Sequence, residues 1–210
     1  PETKDTNFSW KTFIEKVNSD LNDTLGNFIH RTLIFINQYF DSAVPKPSKL
    51  DERDKGILIL TRKRVKKIAQ NLEDFKLKEA LKRVIGLSHL GNRYLNEKEP
   101  WKLIKTNPQS SANTLYVAAQ IVKNLAITLE SFTPSSAEKL WELLNLPGSI
   151  HEQTWNETKK DLLPGHRINK AKPLFNKIEA TEEELQIMLE KARSNLQKMP
   201  EFNVRMGKTK

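Results

Sequence analysis

Residues 111–131 place Leu115, Val117, Ala118, Ile121, Val122, Leu125, Ala126 and Leu129 in one stretch with helical spacing and no proline or glycine. A helix with these residues is apolar on nearly every side. Such a helix cannot face water broadly, so other elements must surround it. It is too polar, and flanked too soon, to be a membrane span of ~20 apolar residues. Its natural setting is the middle of a helical bundle.

The rest of the chain supplies candidate partners. Apolar residues recur at three- and four-residue intervals, β-branched alternation is missing, and only 7 glycines occur among 210 residues. Ser9 caps an expected first helix carrying Trp10, Phe13, Ile14 and Val17. A second is expected from about 20 to 40, stopped by Ala43-Val44-Pro45-Lys46-Pro47, and a third from about 51 to 72. A fourth covers about 76 to 98. Pro100 ends it, and a turn containing Asn107-Pro108 leads to the apolar helix, opened by Ser110 or Ser111. A short helix follows Thr133-Pro134. Residues 149–180 lack a period and read as an irregular crossing segment. Thr181 and Glu184 have capping-box spacing before a last helix, and the tail after Met199 reads as frayed. The expectation is an all-α antiparallel bundle over 1–148, with 149–210 an extended crossing segment plus a C-terminal helix packing back on the bundle.

Charge narrows the partners. Lys and Arg outnumber Asp and Glu 35 to 26, but unevenly. Residues 51–105 carry a net +7 and 159–210 a net +5, whereas 106–158 carry −3. A polyanion is a natural partner for such a surface; a lysine-rich solvated face is the alternative. Arg62, Lys63, Arg64, Lys66 and Lys67 fall within two helical turns and could line a phosphate backbone.

Catalytic chemistry finds no foothold. There is no cysteine, hence no disulfide, thiolate zinc site or cysteine nucleophile. No Gly-rich phosphate loop and no serine triad order occurs, and His30, His151 and His166 read as surface or capping residues. No catalytic or metal-binding residue is expected. Without a signal peptide or membrane span, a cytoplasmic protein is the expected setting. A chain beginning at Pro1 reads as a piece of something longer, or as one whose initiator Met has been removed.

Two positions invite a binding role. Asn27 and Arg31, four apart on the second helix, project together away from a stripe of Leu21, Leu25, Phe28, Ile29, Thr32, Ile36 and Phe40. An amide beside a guanidinium can meet a nucleobase edge, or simply be solvated. Trp101, in a charged turn after Pro100, either plugs the bundle end or offers a platform for an unpaired base. Trp10, Trp141 and Trp155 read as structural.

Phe8-Ser9-Trp10, Asn18-Ser19-Asp20-Leu21, Leu25-Gly26-Asn27-Phe28 and Arg31 together resemble the start of the anticodon-binding helical domain of archaeal-type methionyl-tRNA synthetases. Gly91-Asn92-Arg93-Tyr94, Glu99-Pro100-Trp101, Pro164-Gly165-His166-Arg167-Ile168, Lys172-Pro173-Leu174-Phe175 and Lys177-Ile178-Glu179 fit the same family in order, so the resemblance covers nearly all of 6–180. It implies that Asn27, Arg31 and Trp101 contact a CAU anticodon, Trp101 stacking on its splayed first base. Asn92, Pro100, Arg62, Lys63, Lys66 and Lys67 are further RNA-contact candidates. It also implies a tRNA partner, a separate catalytic domain toward which the segment near 164–179 folds back, and a parent methionine–tRNA ligase using ATP, magnesium and zinc.

The HIGH- and KMSKS-type signatures and the Cys-bearing zinc insertion are missing from this sequence. The chain itself is therefore expected to hold no cofactor and to be inactive alone. Asn169 and Ala171 stand where the family often has Gly and Pro, which leaves the path of that segment open. A helical protein–protein scaffold, or a stand-alone RNA-binding module, is the rival reading.

Overall fold

The computed structural model describes residues 8–197. Its helices are α1 (Trp10–Lys16), a π-helical stretch (Val17–Gly26), α2 (Asn27–Tyr39), α3 (Glu52–Glu73), α4 (Leu77–Lys98), α5 (Pro100–Thr106), α6 (Pro108–Glu130), α7 (Pro134–Leu143) and α8 (Glu182–Gln197). Two short 3₁₀ turns, Ile150–Glu152 and Trp155–Lys159, precede α8, and among the described residues no strand forms beyond the single bridge Ala43–Arg167. The chain is all-α, as its periodicity requires.

α6 is the hub. Its residues Leu115, Val117, Ala118, Ile121, Val122, Leu125, Ala126 and Leu129 are fully buried, and α2, α3, α4, α5 and α7 all pack on it. Asn107, rather than Ser110 or Ser111, caps it, accepting from the Ser110 N–H at 3.1 Å. Ser111 is buried and donates to the Pro100 carbonyl at 3.1 Å, tying α6 to the start of α5.

Two local expectations need correction. The first and second helices do not separate near Asp20. They run on through a π-helical segment in which the Asn27 N–H bonds to the Asn22 carbonyl, five residues back. The wider turn keeps Leu25 and Gly26 in the core while Asn18 reaches outward to the crossing segment. Pro100 does not lead into a turn either. Glu99 adopts a left-handed conformation (φ 44°) that breaks α4, and Pro100 then starts α5 as its first residue. Proline lacks the N–H that a first helical position would waste, and it disfavours helix in the residue before it. Trp101 is thereby a helical residue.

α3 and α4 form a tight antiparallel pair, α3 being opened by a capping box between Asp51 and Asp54. Buried Asp54 accepts from the Tyr94 hydroxyl at 2.7 Å and pairs with Lys98 at 2.8 Å. Burial, and then the Asp54 carboxylate, push the Tyr94 hydroxyl pKa far upward, so it stays protonated as a donor. At Gly91 on α4, an added Cβ would come within 2.2 Å of the Phe28 ring. The missing side chain lets α2 approach.

The crossing segment is stitched rather than loose. Backbone bonds join it to Ser42, Val44 and Leu143, and two asparagines act as peptide surrogates. Asn18 donates to the Ile178 carbonyl (3.0 Å) and accepts from its N–H (2.8 Å). Asn37 donates to Asn169 O (3.2 Å) and accepts from Ala171 N–H (2.8 Å). The two positions that depart from the family pattern, Asn169 and Ala171, are therefore both anchored. Thr181 and Glu184 form the expected reciprocal cap of α8, which lies against α1. The tail after Met199 lies outside the described residues.

Candidate nucleic-acid interface

Asn27, Arg31, Phe35 and Tyr39 follow one another at four-residue spacing on α2, forming a single column along its outer side. The Arg31 guanidinium carbon lies 4.9 Å from the centroid of the Trp101 indole. Its two terminal nitrogens donate to Asn96 Oδ1 at 3.1 and 3.2 Å. The indole also meets Phe35, ring centres 5.7 Å apart at 30°, and Phe35 stacks on Tyr39 at 6.0 Å. Two remote stretches of sequence therefore converge: α5 lays Trp101 across the Arg31–Phe35 column of α2. Trp101 is half-buried.

Burial lowers the Arg31 pKa, but a guanidinium starts so high that it remains a cation. Over the indole face it makes a cation–π contact of ~0.5–2 kcal/mol, which orients both side chains before any ligand arrives. Arg31 is thus not a free base-edge reader in this state. It is a shelf-and-clamp partner for Trp101, with two of its five N–H donors held by Asn96 and the others left for a base edge.

Asn27 is exposed, one turn before Arg31. It lines a groove of about 350 Å³ with Asn22, Asp23, Gly26, His30 and the Pro173–Phe175 stretch of the crossing segment. Asp23 pairs with Lys177 at 3.1 Å across the groove. A hydrogen bond from Asn22, reinforced by Lys177, lowers the pKa of this carboxyl. A Cβ at Gly26 would crowd the Leu21 carbonyl at 3.1 Å and touch the Phe175 ring at 3.4 Å.

The remaining candidates divide. Pro100 is buried, its carbonyl accepting from Ser111. Asn92 donates to the Thr24 carbonyl at 2.9 Å, and its buried oxygen lacks a partner. Both hold helices together in this structure. Lys63, Lys66 and Lys67 are exposed on α3, while Arg62 pairs with Asp161 at 2.9 Å. Arg64 turns inward instead, donating to the Gly86 carbonyl. Phe35 and Tyr39 escaped the sequence reading, although their four-residue step from Arg31 is itself visible there. Trp141 is buried and donates to the Pro147 carbonyl, which bears out its structural reading.

Among the described residues no group of three His, Asp or Glu side chains gathers as a metal site. His166 bonds to the Leu144 carbonyl and His151 faces Glu130, both local roles. No described helix is long and apolar enough to cross a membrane.

The all-helical frame is shared with known proteins. Residues 1–33 match a family described as class I tRNA synthetases of the methionine type. Residues 44–192 match the model described as the anticodon binding domain of methionyl tRNA ligase, and the chain belongs to that family. The methionine–tRNA ligase of Thermococcus kodakarensis is 42% identical over 178 residues, 85% of this chain and 23% of that protein. The corresponding ligase of Sulfolobus acidocaldarius is 34% identical over 201 residues, 94% of this chain and 35% of its own length. The chain thus spans only about a quarter to a third of these relatives. The free-state crystal structure of Mycobacterium tuberculosis methionyl-tRNA synthetase superposes with a TM-score of 0.79 at 22% identity, covering 85% of this chain and 36% of that one. At that identity the likeness supports the fold.

Proposed function

We propose that this chain is the anticodon-reading portion of a methionine–tRNA ligase and recognises the CAU anticodon of its tRNA. The observation that carries the reading is the Arg31–Trp101 contact, made across 70 residues of sequence and open beside exposed Asn27. The open part of the Trp101 indole stacks the splayed first anticodon base, a cytosine, while Arg31 and Asn27 turn donors and an acceptor toward base edges. The groove between Asn27 and the 173–175 stretch accommodates a neighbouring nucleotide. Exposed cations supply salt-dependent affinity for the backbone. Methionine activation with ATP belongs to a catalytic domain outside this chain, toward which the segment near 164–179 folds back.

The test is binding of a CAU stem-loop to the 210-residue chain at several salt concentrations, beside stem-loops altered at the first anticodon base. Preference for CAU with affinity falling steeply in salt supports the reading. Equal affinity for all loops rejects it, and salt-insensitive association with proteins instead would favour a scaffold.

A further inference from the structure

A groove lies away from the Trp101 column, between α3 and the turn Trp155–Lys159. Its volume is about 730 Å³, inside the ~300–1,000 Å³ range of small-molecule sites. Val65, Ala69 and the half-buried Trp155 indole contribute an apolar floor, and Arg62, Lys66 and Lys159 stand around it. No carboxylate is among the described residues lining it. Asp161 and Glu157 lie close in sequence, but each is already paired, with Arg62 and Lys160 respectively.

The wall bearing Trp155 is built to stay in place. Lys123, on α6 and 3% exposed, donates to the carbonyls of Glu157 (2.8 Å) and Lys160 (2.5 Å). Gln120, one turn earlier, makes a two-way bond with the backbone of Leu162 (3.1 and 2.7 Å). Thr158 donates to the Trp155 carbonyl at 2.6 Å. A buried lysine spent wholly on backbone carbonyls is costly unless the turn it holds matters. Opposite, Lys66 is exposed and makes no hydrogen bond or ion pair among the described residues, and Lys159 bonds only to neutral Asn156.

We infer that this groove is a second RNA site, which takes one unpaired nucleotide with its base against the Trp155 indole and its phosphate between Lys66 and Lys159. A bare anion would need the cations but not an apolar floor with an indole; a purely apolar ligand would need the floor but not three cations. A nucleotide uses both, through stacking and charge. Only the choice of RNA as ligand rests on the function proposed above; the groove itself is independent of the anticodon column.

The experiment is titration of the 210-residue chain with hexa-adenylate, a single strand without a CAU triplet, in a Trp101→Ala background that removes the other stacking platform. Trp155→Ala added to that background weakens binding about 10-fold, and Trp155→Phe restores most of it. Replacing Lys66 and Lys159 by Ala lowers the slope of log affinity against log salt by about 1.4, two phosphate contacts on a single strand. Unchanged thermal unfolding shows that the variants fold. Equal hexa-adenylate affinity with and without Trp155 overturns the inference while leaving the CAU reading intact. Tighter, Trp155-dependent binding of hexa-glutamate overturns it too, by assigning the groove to an acidic peptide. Loss of hexa-adenylate binding on Trp155→Ala, with CAU stem-loop affinity indifferent to Trp101→Ala, upholds this site and rejects the anticodon column.

Discussion

Arg31 and Trp101 are bound to each other before any ligand arrives, the guanidinium carbon 4.9 Å from the indole centroid and its N–H groups anchored on Asn96. The pair is a preorganised unit: each side chain loses rotamer freedom to the other rather than to the ligand, which lowers the ordering cost of binding.

Trp101→Ala is expected to weaken CAU stem-loop binding by ~1–3 kcal/mol. The ring is only half-buried, at the end of the bundle, so the fold survives. Binding isotherms beside thermal melts check both halves of the statement.

Arg31→Lys should behave more like Arg31→Ala than like the native chain. An ammonium cannot lie flat on the indole and bond to Asn96 and a base edge in one plane. Discrimination between CAU and a loop changed at its first base narrows by ~1–3 kcal/mol in both variants. Full discrimination in the lysine variant would remove the planar geometry from the site.

Asn18→Ala removes both bonds to the Ile178 peptide. A stability loss of ~1–3 kcal/mol follows, given ~0.5–1.5 kcal/mol per net hydrogen bond. The more direct reading is hydrogen exchange: the Ile178 amide loses protection while α6 amides keep theirs.

Gly91→Ala puts a methyl where the Phe28 ring already sits, 2.2 Å from the new Cβ, and Phe28 is fully buried with nowhere to move. A destabilisation of about 3 kcal/mol is expected from this overpacking. Phe28→Leu in the same chain should recover part of it, and a double-mutant cycle of thermal melts measures the coupling.

Acid should loosen the start of α3. The hydrogen bond from Lys98, and then the Asp54 backbone N–H, hold the Asp51 carboxyl below its ordinary pKa. A carboxyl whose folded pKa is depressed contributes fully above its unfolded pKa of ~3.9 and loses that contribution as pH falls through the folded value. Melting temperature therefore falls as pH drops below about 4, and Asp51→Asn, less stable at neutral pH, falls less steeply over the same range.

Much of the architecture is readable from short-range pattern. Burial of α6, the order of helices and the Thr181–Glu184 cap all follow from residues within one or two turns of each other. The outward pairing of Asn27 with Arg31 is equally local, since four residues on a helix share a face. The π-helical stretch escaped because its apolar spacing over 17–26 matches an ordinary helix within a residue or so. Pro100 was readable as a boundary but not as the start of α5, because the same ring that ends one helix can begin the next. Trp155 was classed with the structural tryptophans since its groove depends on α3, some ninety residues earlier.

By itself the chain determined that it must be a helical bundle around 111–131, with cations crowded onto α3 and a polar pair turned outward on α2. Periodicity and charge are properties of neighbours, and neighbours are given in the sequence. Only the tertiary structure decided that Trp101 lies on Arg31, that Asn92 bonds to Thr24 and Pro100 to Ser111, and that Asn18 and Asn37 clasp a strap more than a hundred residues away. Those contacts depend on how whole helices pack, a balance of buried surface and satisfied backbone groups that no local window contains.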